Sequence, residues 1–462
     1  MKILLFTVPA DDESFDMSTY ANAEPLALEY LGAAVKENHD VRLVDLRIDR
    51  ELDFRQVLEA FQPDITACGT YTTEVYGARK LCAEAKKLLP NVLTVIGGHH
   101  ATVMPSDFID ENVDLIVMGE GVHTFKKICD YHEQGKSFHD IENIYYKKNG
   151  KMVHTFKKEH PPLDSLPLPD RTLTSHIRHH YKTLMTFKPT QIALIRSSVG
   201  CICRCEFCPI SGILNHKLLK RSIDRVIEEF VTLKEPFVLW IDDEFLTDPE
   251  RALLLAREIE KTGIKKKHFF LCRADTVCKH PECIEAWVNV GLQAAFIGIE
   301  SHRDTDLIRM GKGSSTLKSQ EAVRILRENN VTVRGGFMIQ QDFIKDDFKK
   351  IADYIRELKV DMAALFIYTP LPGTKLWEKT KDQFLLHNYN LFDMMHTILP
   401  TTLPLKEFYK EYCNLLFKAT LSPESEKNFL KAMSLKELLQ LFFKRKKLYK
   451  KVKNSYRLYN LV

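Results

Sequence analysis

Three cysteines stand close enough in this chain to act together. In the stretch Arg196-Ser-Ser-Val-Gly-Cys201-Ile-Cys203-Arg-Cys205-Glu-Phe-Cys208-Pro209, residues Cys201, Cys205 and Cys208 have the spacing C-x3-C-x2-C. Three thiolates on one short loop can hold three irons of a [4Fe–4S] cluster and leave the fourth iron without a protein ligand. An iron with an open position binds and activates whatever is brought to it. Zinc is the rival metal, but a structural zinc site wants four nitrogen or sulfur ligands in a closed tetrahedron. Cys203 would have to be the fourth, and it lies between Cys201 and Cys205. Side chains two apart in a loop seldom converge with both neighbours on one small ion.

The elements that must hold this loop read as repeated strand–helix units. Strand 191–197 runs straight into the cysteines. Helix 221–233, strand 237–245, helix 249–262, strand 268–275, helix 281–290 and strand 294–301 follow in alternation. Helix 317–329, strand 331–339, helix 346–358 and a last strand from Ala363 complete six units, the pattern of a partial (β/α)6 barrel. Polar residues at the carboxyl ends of barrel strands read as active site. Those ends carry Asp242, Asp243, Glu244, Arg273, Asp275, Glu300 and Ser301.

Ahead of the barrel, residues 1–141 alternate short apolar strands with helices, which implies an α/β fold with a doubly wound parallel sheet. Ligands in such sheets sit beyond the carboxyl ends of the strands, where strand order switches. Two turns there are rich in glycine: Gly97-Gly98-His99-His100 and Gly119-Glu120-Gly121. Residues 142–188 contain Pro161-Pro162 and Leu166-Pro-Leu-Pro-Asp170-Arg171 and read as a stiffened connector. The barrel then occupies 189–385, and 386–462 read as a helical region with no catalytic motif.

The cysteine triad, with Phe207 just before its last member and a strand before its first, resembles the radical S-adenosylmethionine (SAM) superfamily. That resemblance implies a [4Fe–4S] cluster on Cys201, Cys205 and Cys208, with SAM at the open iron. It places SAM among Phe207, Asp243, Glu244, Arg273, Glu300 and Ser301: Glu300 near the ribose, Arg273 near the carboxylate, and Asp243 or Glu244 near the amino group. A sulfonium amino acid needs acceptors for its hydroxyls and ammonium and a cation for its carboxylate, so the residue types agree. Gln340-Gln341-Asp342 departs from the glycine and proline that relatives often carry after the Phe-Met-Ile strand.

The two glycine turns, in this order, resemble the cobalamin-binding domain that many radical SAM enzymes carry, and Pro25-Leu-Ala-Leu-Glu-Tyr-Leu resembles an early segment of the same subfamily. Thr70, Gly97, Gly98, His99, Gly119, Glu120 and Gly121 are the residues that this resemblance sets beside a corrin. No histidine is assigned as lower cobalt ligand, so it implies cobalamin with its lower base displaced and no protein imidazole in place. Such enzymes cleave SAM with one electron, from a donor such as flavodoxin or ferredoxin, to a radical that abstracts hydrogen; the substrate radical can then take a methyl group from cobalt. Non-methylating radical chemistry and a cofactor-binding protein without turnover are the alternatives. Glu24 to Leu31, Val41-Arg-Leu-Val-Asp-Leu and Leu399-Pro-Thr-Thr-Leu-Pro-Leu-Lys-Glu-Phe-Tyr are further similar to hopanoid C-3 methylases, which implies an apolar, lipid-like substrate.

Composition narrows the setting. A net charge of +4 over 462 residues is too weak to argue for nucleic acid. Eleven cysteines without a repeating framework suit a reducing cytoplasm and a metal centre. No run approaches a membrane span. Residues 431–462 hold ten Lys or Arg against Glu437 alone, interleaved with Leu, Phe and Tyr, a pattern fit for the inner membrane surface or for packing on the barrel.

Overall fold

The computed structural model describes residues 1–15, 21–49, 51–155, 159–184 and 188–460. The chain divides into two compact units. Unit 1 comprises Met1–Asp16, Glu24–His180 and Asn388–Asp393; unit 2 comprises Met17–Ala23, Tyr181–His387 and Met394–Val462.

Unit 1 is built in chain order from β1 (Lys2–Phe6), α1 (Leu26–Val35), β2 (Asp40–Val44), α2 (Phe54–Phe61), β3 (Ile65–Gly69) and α3 (Val75–Leu88). It continues with β4 (Leu93–Gly97), α4 (His99–Val103), β5 (Leu115–Val117), α5 (Val122–Glu133), β6 (Ile144–Lys148) and β7 (Lys151–His154). The sheet order is β2-β1-β3-β4-β5-β6-β7, parallel through β5 and antiparallel for the last two strands. Alternate residues of β1 enter separate cores: Leu4 and Phe6 join Ile96 and Ile116 on one face, while Ile3 and Leu5 join Val95 and Leu115 on the other. Both faces are covered by helices, which is why these strands read as unbroken apolar runs. Strand order reverses between β1 and β3, so the ligand crevice of this fold class opens at their carboxyl ends.

The compact unit runs on to His180, past the boundary at 141 read from the sequence, because β6 and β7 extend its sheet. The proline-rich segment after them docks on α1. Asp170 accepts Lys36 at 2.9 Å, and its N–H donates to the Glu29 carbonyl at 3.0 Å. Glu24 lies 2.7 Å from Arg178 and 3.3 Å from Arg171, while Glu29 accepts the Thr174 hydroxyl at 2.6 Å. Two motifs almost 150 residues apart thus form one buried ion cluster.

Unit 2 begins with β8 (Lys182–Thr183), β9 (Thr190–Ile195), β10 (Ser198–Val199), α6 (Pro209–Leu214), β11 (Leu219–Lys220), α7 (Ile223–Thr232), β12 (Phe237–Trp240) and α8 (Pro249–Lys261). Next come β13 (Lys267–Arg273), α9 (Ala274–Lys279), α10 (Pro281–Asn289), β14 (Leu292–Glu300), α11 (Asp304–Arg309), α12 (Thr316–Glu328), β15 (Thr332–Ile339), α13 (Lys345–Leu358) and β16 (Met362–Ile367). The order β16-β15-β14-β13-β12-β9-β8 leaves six parallel strands, β9 and β12 to β16, with β8 antiparallel at one edge. This is the expected six-unit half-barrel. Most long helices match their expected limits within two residues; the short helices α9, α11 and α14 (Lys375–Thr380) were not read, being too short for a periodic apolar face.

Unit 2 ends with α15 (Leu405–Ala419), α16 (Pro423–Ala432) and α17 (Leu435–Asn454). No helix among the described residues is long and apolar enough to cross a membrane.

Candidate active site

The cysteine loop joins β10 to α6 and is held from three sides. Gly200 has φ +98°, and a Cβ there would lie 2.1 Å from the Lys217 carbonyl oxygen, so glycine is required for the chain to turn into the loop. The Glu206 N–H donates to the Met310 carbonyl at 2.9 Å, and the Glu206 carbonyl accepts the Leu376 N–H at 3.0 Å. Phe207 sits in an apolar cluster with Met310, Tyr368 and Leu376, its ring 5.9 Å from that of Tyr368. That packing fixes the backbone on which Cys205 and Cys208 ride.

Cys205 is buried, while Cys201, Cys203 and Cys208 are partly exposed. Among the described residues no three of His, Cys, Asp or Glu converge on one point as a mononuclear site requires. A four-iron cluster takes one thiolate on each of three separate irons and needs no such convergence. Cationic groups beside the loop fit thiolate ligands. Arg273 Nη1 lies 3.6 Å from Cys205 Sγ. Burial raises the Cys205 thiol, and Lys312 and Arg273 pull it back. Cys203 donates its N–H to Cys201 Sγ at 3.5 Å, and its carbonyl bonds His216 Nδ1 at 2.9 Å.

The strand ends sort the remaining candidates. Asp242 is fully buried and accepts the Ser197 hydroxyl at 2.7 Å and that of Ser198, so it braces the loop's entry. Asp243 is partly exposed and uses Oδ2 on the Gly200 N–H at 2.7 Å. Glu244 is buried with both oxygens engaged, by Thr276 at 2.9 Å and Thr247 at 2.5 Å. Arg273 is held by Asp275 at 2.9 Å and donates to the Lys312 carbonyl. Ser301 is buried and spent on Asp306 at 2.7 Å.

Glu300 is the one strand-end carboxylate set in the left-handed region, at φ +68°. The register between β14 and β15 shifts between Gly298 and Glu300, and such bulges re-aim a side chain. Glu300 Oε1 lies 2.7 Å from Lys312 Nζ, and a Cβ at Gly298 would come within 2.6 Å of both groups. The sequence reading missed Lys312. Its signal was the glycine-flanked string Met310-Gly-Lys312-Gly313 directly after a helix; the structure folds it back so that Gly311 meets the Arg204 carbonyl.

In unit 1 the glycine turns line the carboxyl edge of the sheet. Gly98, at φ +101°, packs on Thr70 so closely that a Cβ would lie 2.4 Å from its nitrogen. Thr70 in turn donates its hydroxyl to the Gly97 carbonyl at 2.9 Å. Gly119 has φ +73° and donates its N–H to Thr102 at 2.9 Å. Gly121 caps α5, and Glu120 lies 3.7 Å from His160. Gly69 and Gly119 have no atom within 4 Å of an added Cβ, so bare backbone faces open space there, as a flat macrocycle requires. Gly69 was not among the expected residues. The adjacent histidines part company: His99 is exposed, its ring 5.1 Å from Tyr71. His100 is buried, with Thr72 at 3.2 Å and Asp107 at 2.9 Å on its two nitrogens. Tyr389, from the Asn388–Asp393 segment of the same unit, packs 4.9 Å from the His100 ring.

One D-x-H-x-x-G string, the pattern that supplies a cobalt-ligating histidine in some cobalamin proteins, does occur: Asp130-Tyr-His132-Glu-Gln-Gly135. The structure sets it apart from the turns. His132 lies in the last turn of α5, and the charges acting on it include Asp64 and Asp114, which precede β3 and β5. It therefore stands at the amino edge of the sheet, the end opposite the glycine turns.

Comparison with known proteins agrees with this division. A B12 binding domain matches residues 17–128, and the radical SAM superfamily matches residues 195–355. The chain thus combines the two domains of the cobalamin-dependent radical SAM class. Within that class it is similar to hopanoid C-3 methylase of Methylococcus capsulatus, 28% identical over 402 residues that cover 85% of this chain and 75% of the relative. It is also similar to the uncharacterized methyltransferase PH0819 of Pyrococcus horikoshii, at 29% identity over 91% of this chain and 92% of the relative. Among solved structures, the cobalamin-dependent SAM radical enzyme OxsB shares the fold, with a TM-score of 0.71 at 16% identity, covering 99% of this chain and 72% of that one.

Proposed function

We propose that this enzyme methylates an unactivated carbon of an apolar, polycyclic-lipid-like substrate. When bound, the cluster supplies the electron that splits SAM's sulfonium, and cobalamin supplies the methyl group. The observation that carries the reading is the arrangement of Cys201, Cys205 and Cys208 beside Arg273, Lys312 and Glu300 in a chain that also holds a B12 binding domain.

The protein's own residues do the positioning. Cys201, Cys205 and Cys208 would hold the cluster, one thiolate to each of three irons. Arg273, locked by Asp275, presents its cation toward SAM's carboxylate. Glu300, with one oxygen steadied by Lys312, accepts the ribose hydroxyls. Asp243 takes the ammonium, since its side chain is accessible while both Glu244 oxygens are engaged. Phe207 keeps water off the loop from its apolar cluster. In unit 1, Thr70, Gly97, Gly98, His99, Gly119, Glu120 and Gly121 border the corrin site. These turns would hold cobalamin chiefly through backbone and small side chains, since His100 is engaged on both nitrogens and His132 lies at the far edge of the sheet. A small flavodoxin or ferredoxin delivers the electron. The lipid-like substrate rests on the similarity to hopanoid C-3 methylase.

The test is anaerobic incubation of reconstituted protein with methyl-labelled SAM, a one-electron reductant and either hopanoid lipids or small polar compounds. Label in the lipid fraction together with 5′-deoxyadenosine is expected. Deoxyadenosine without label in either fraction would instead indicate non-methylating radical chemistry, and label confined to polar compounds would remove the lipid substrate.

A further inference from the structure

Helix α17 packs on its neighbour through its carboxyl-terminal half. Tyr449 and Val452 turn toward α15: Tyr449 packs on Phe417 with ring centres 4.9 Å apart, Val452 is wholly buried, and Cys413 bonds the Tyr449 carbonyl at 3.6 Å. Arg445 joins this side by lying over the Phe417 ring at 5.5 Å. About 100° of rotation per residue puts Leu435, Leu439, Phe442 and Phe443 within one arc of about 100° on the amino-terminal half of the helix, ahead of the turns that pack on α15. They are 74%, 50%, 60% and 63% exposed, although a globular protein ordinarily leaves such side chains scattered singly.

Continuing along that same arc, the spacing brings up Lys446 and Lys450, with Lys447 on its flank, while Lys453 turns back over the Tyr449 ring at 5.8 Å. Residues 431–462 hold ten cations against Glu437, whose carboxylate is occupied in capping α17 through Ser434. Lys182 and Lys188, from elsewhere in unit 2, stand near enough to act on that carboxylate too. An apolar stripe that leads into lysines on one exposed face is complementary to a surface with an anionic rim and an apolar interior.

We propose that α17 docks the enzyme on anionic lipid bilayers, with Leu435, Leu439, Phe442 and Phe443 entering the acyl boundary and Lys446 and Lys450 resting on the headgroups. This deepens the reading of a lipid-like substrate, which would then be met where it resides. It does not depend on turnover and can be tested apart from it.

The experiment is sedimentation of the full-length protein with vesicles of phosphatidylglycerol and phosphatidylcholine in equal parts, against phosphatidylcholine alone, at low and high salt. Wild-type protein is expected to sediment with the anionic vesicles and to be released by salt. Phe442→Glu/Phe443→Glu should abolish sedimentation. Lys446→Gln/Lys450→Gln should weaken it by more than about tenfold, since each cation near such a surface contributes roughly fivefold. Lys265→Gln, an exposed lysine far along the chain, should sediment as wild type, and circular dichroism should show all variants folded. Equal sedimentation by the α17 variants and wild type, absence of sedimentation, or a concentration-dependent dimer lost in Phe442→Glu/Phe443→Glu without vesicle binding would each overturn the proposal. Sedimentation with no labelled lipid product would leave docking standing and remove the substrate reading instead.

Discussion

Lys312 Nζ lies 2.7 Å from Glu300 Oε1, and both side chains are more than nine-tenths buried. Burial draws the Lys312 ammonium down, yet Glu300 and the Cys205 thiol outweigh it and keep the cation charged. A buried charge stripped of its partner costs about 3–5 kcal/mol. Lys312→Met should therefore destabilise unit 2 by about that much, and adding Glu300→Gln should recover more than about 1 kcal/mol of the loss. Urea unfolding of the two single variants and the double variant measures the coupling. An additive double variant would mean that the pair is a bystander.

Among the four cysteines of the loop, Cys203 should be dispensable. Alanine at Cys201, Cys205 or Cys208 is expected to lower iron per chain and the visible absorbance of the reconstituted protein, whereas Cys203→Ala keeps both. Iron and sulfide analysis after anaerobic reconstitution decides it. Equal loss on replacing Cys203 would favour a four-thiolate site.

Glycines at the sheet edge separate folding from cofactor binding. Gly98→Ala drives a methyl group into Thr70 and should destabilise unit 1 by roughly 1–3 kcal/mol. Gly69→Val meets no atom within 4 Å of its Cβ and should change stability by less than about 0.5 kcal/mol, yet lower bound cobalamin. Cobalamin content and urea midpoints are read on the same preparations. Undiminished cobalamin in Gly69→Val would place the corrin elsewhere.

Glu29 gives unit 1 a pH dependence of definite sign. Burial, and then the neighbouring Glu24 carboxylate, push Glu29 up to about 8 from its ordinary 4.5, against the pull of Thr174, Arg171 and Arg178. The folded form therefore holds a proton that the unfolded chain releases. Its contribution to stability is complete below pH 4.5 and is lost as pH rises toward about 8. Glu29→Gln should flatten that decline. Unfolding midpoints taken across the window test it, and an unchanged slope would mean that Glu29 is ionised in the folded protein.

Much of this was legible in the sequence because parallel strands covered on both sides must be apolar throughout. The strands around Leu4, Ile96, Phe270 and Ile297 declared themselves, as did the cysteine triad. What stayed hidden depends on backbone geometry or on partners distant in sequence. Nothing in the string His99-His100 says that one ring is exposed and the next is clamped by Thr72 and Asp107. The bulge that turns Glu300 toward Lys312 needs the register of β14 against β15, which no single strand contains. Asp130 to Gly135 shows the converse: a ligand-like string whose helix places it at the wrong end of the sheet.

Tyr389 closes against His100 and hydrogen-bonds Asp107, so unit 1 emerges during synthesis without a piece supplied by residues 388–393. Domains ordinarily fold as they leave the ribosome, amino-terminal first. Here the nascent unit 1 must wait for more than two hundred further residues before this strap arrives. Until then its crevice side remains uncovered and vulnerable to proteases and to association with neighbouring chains.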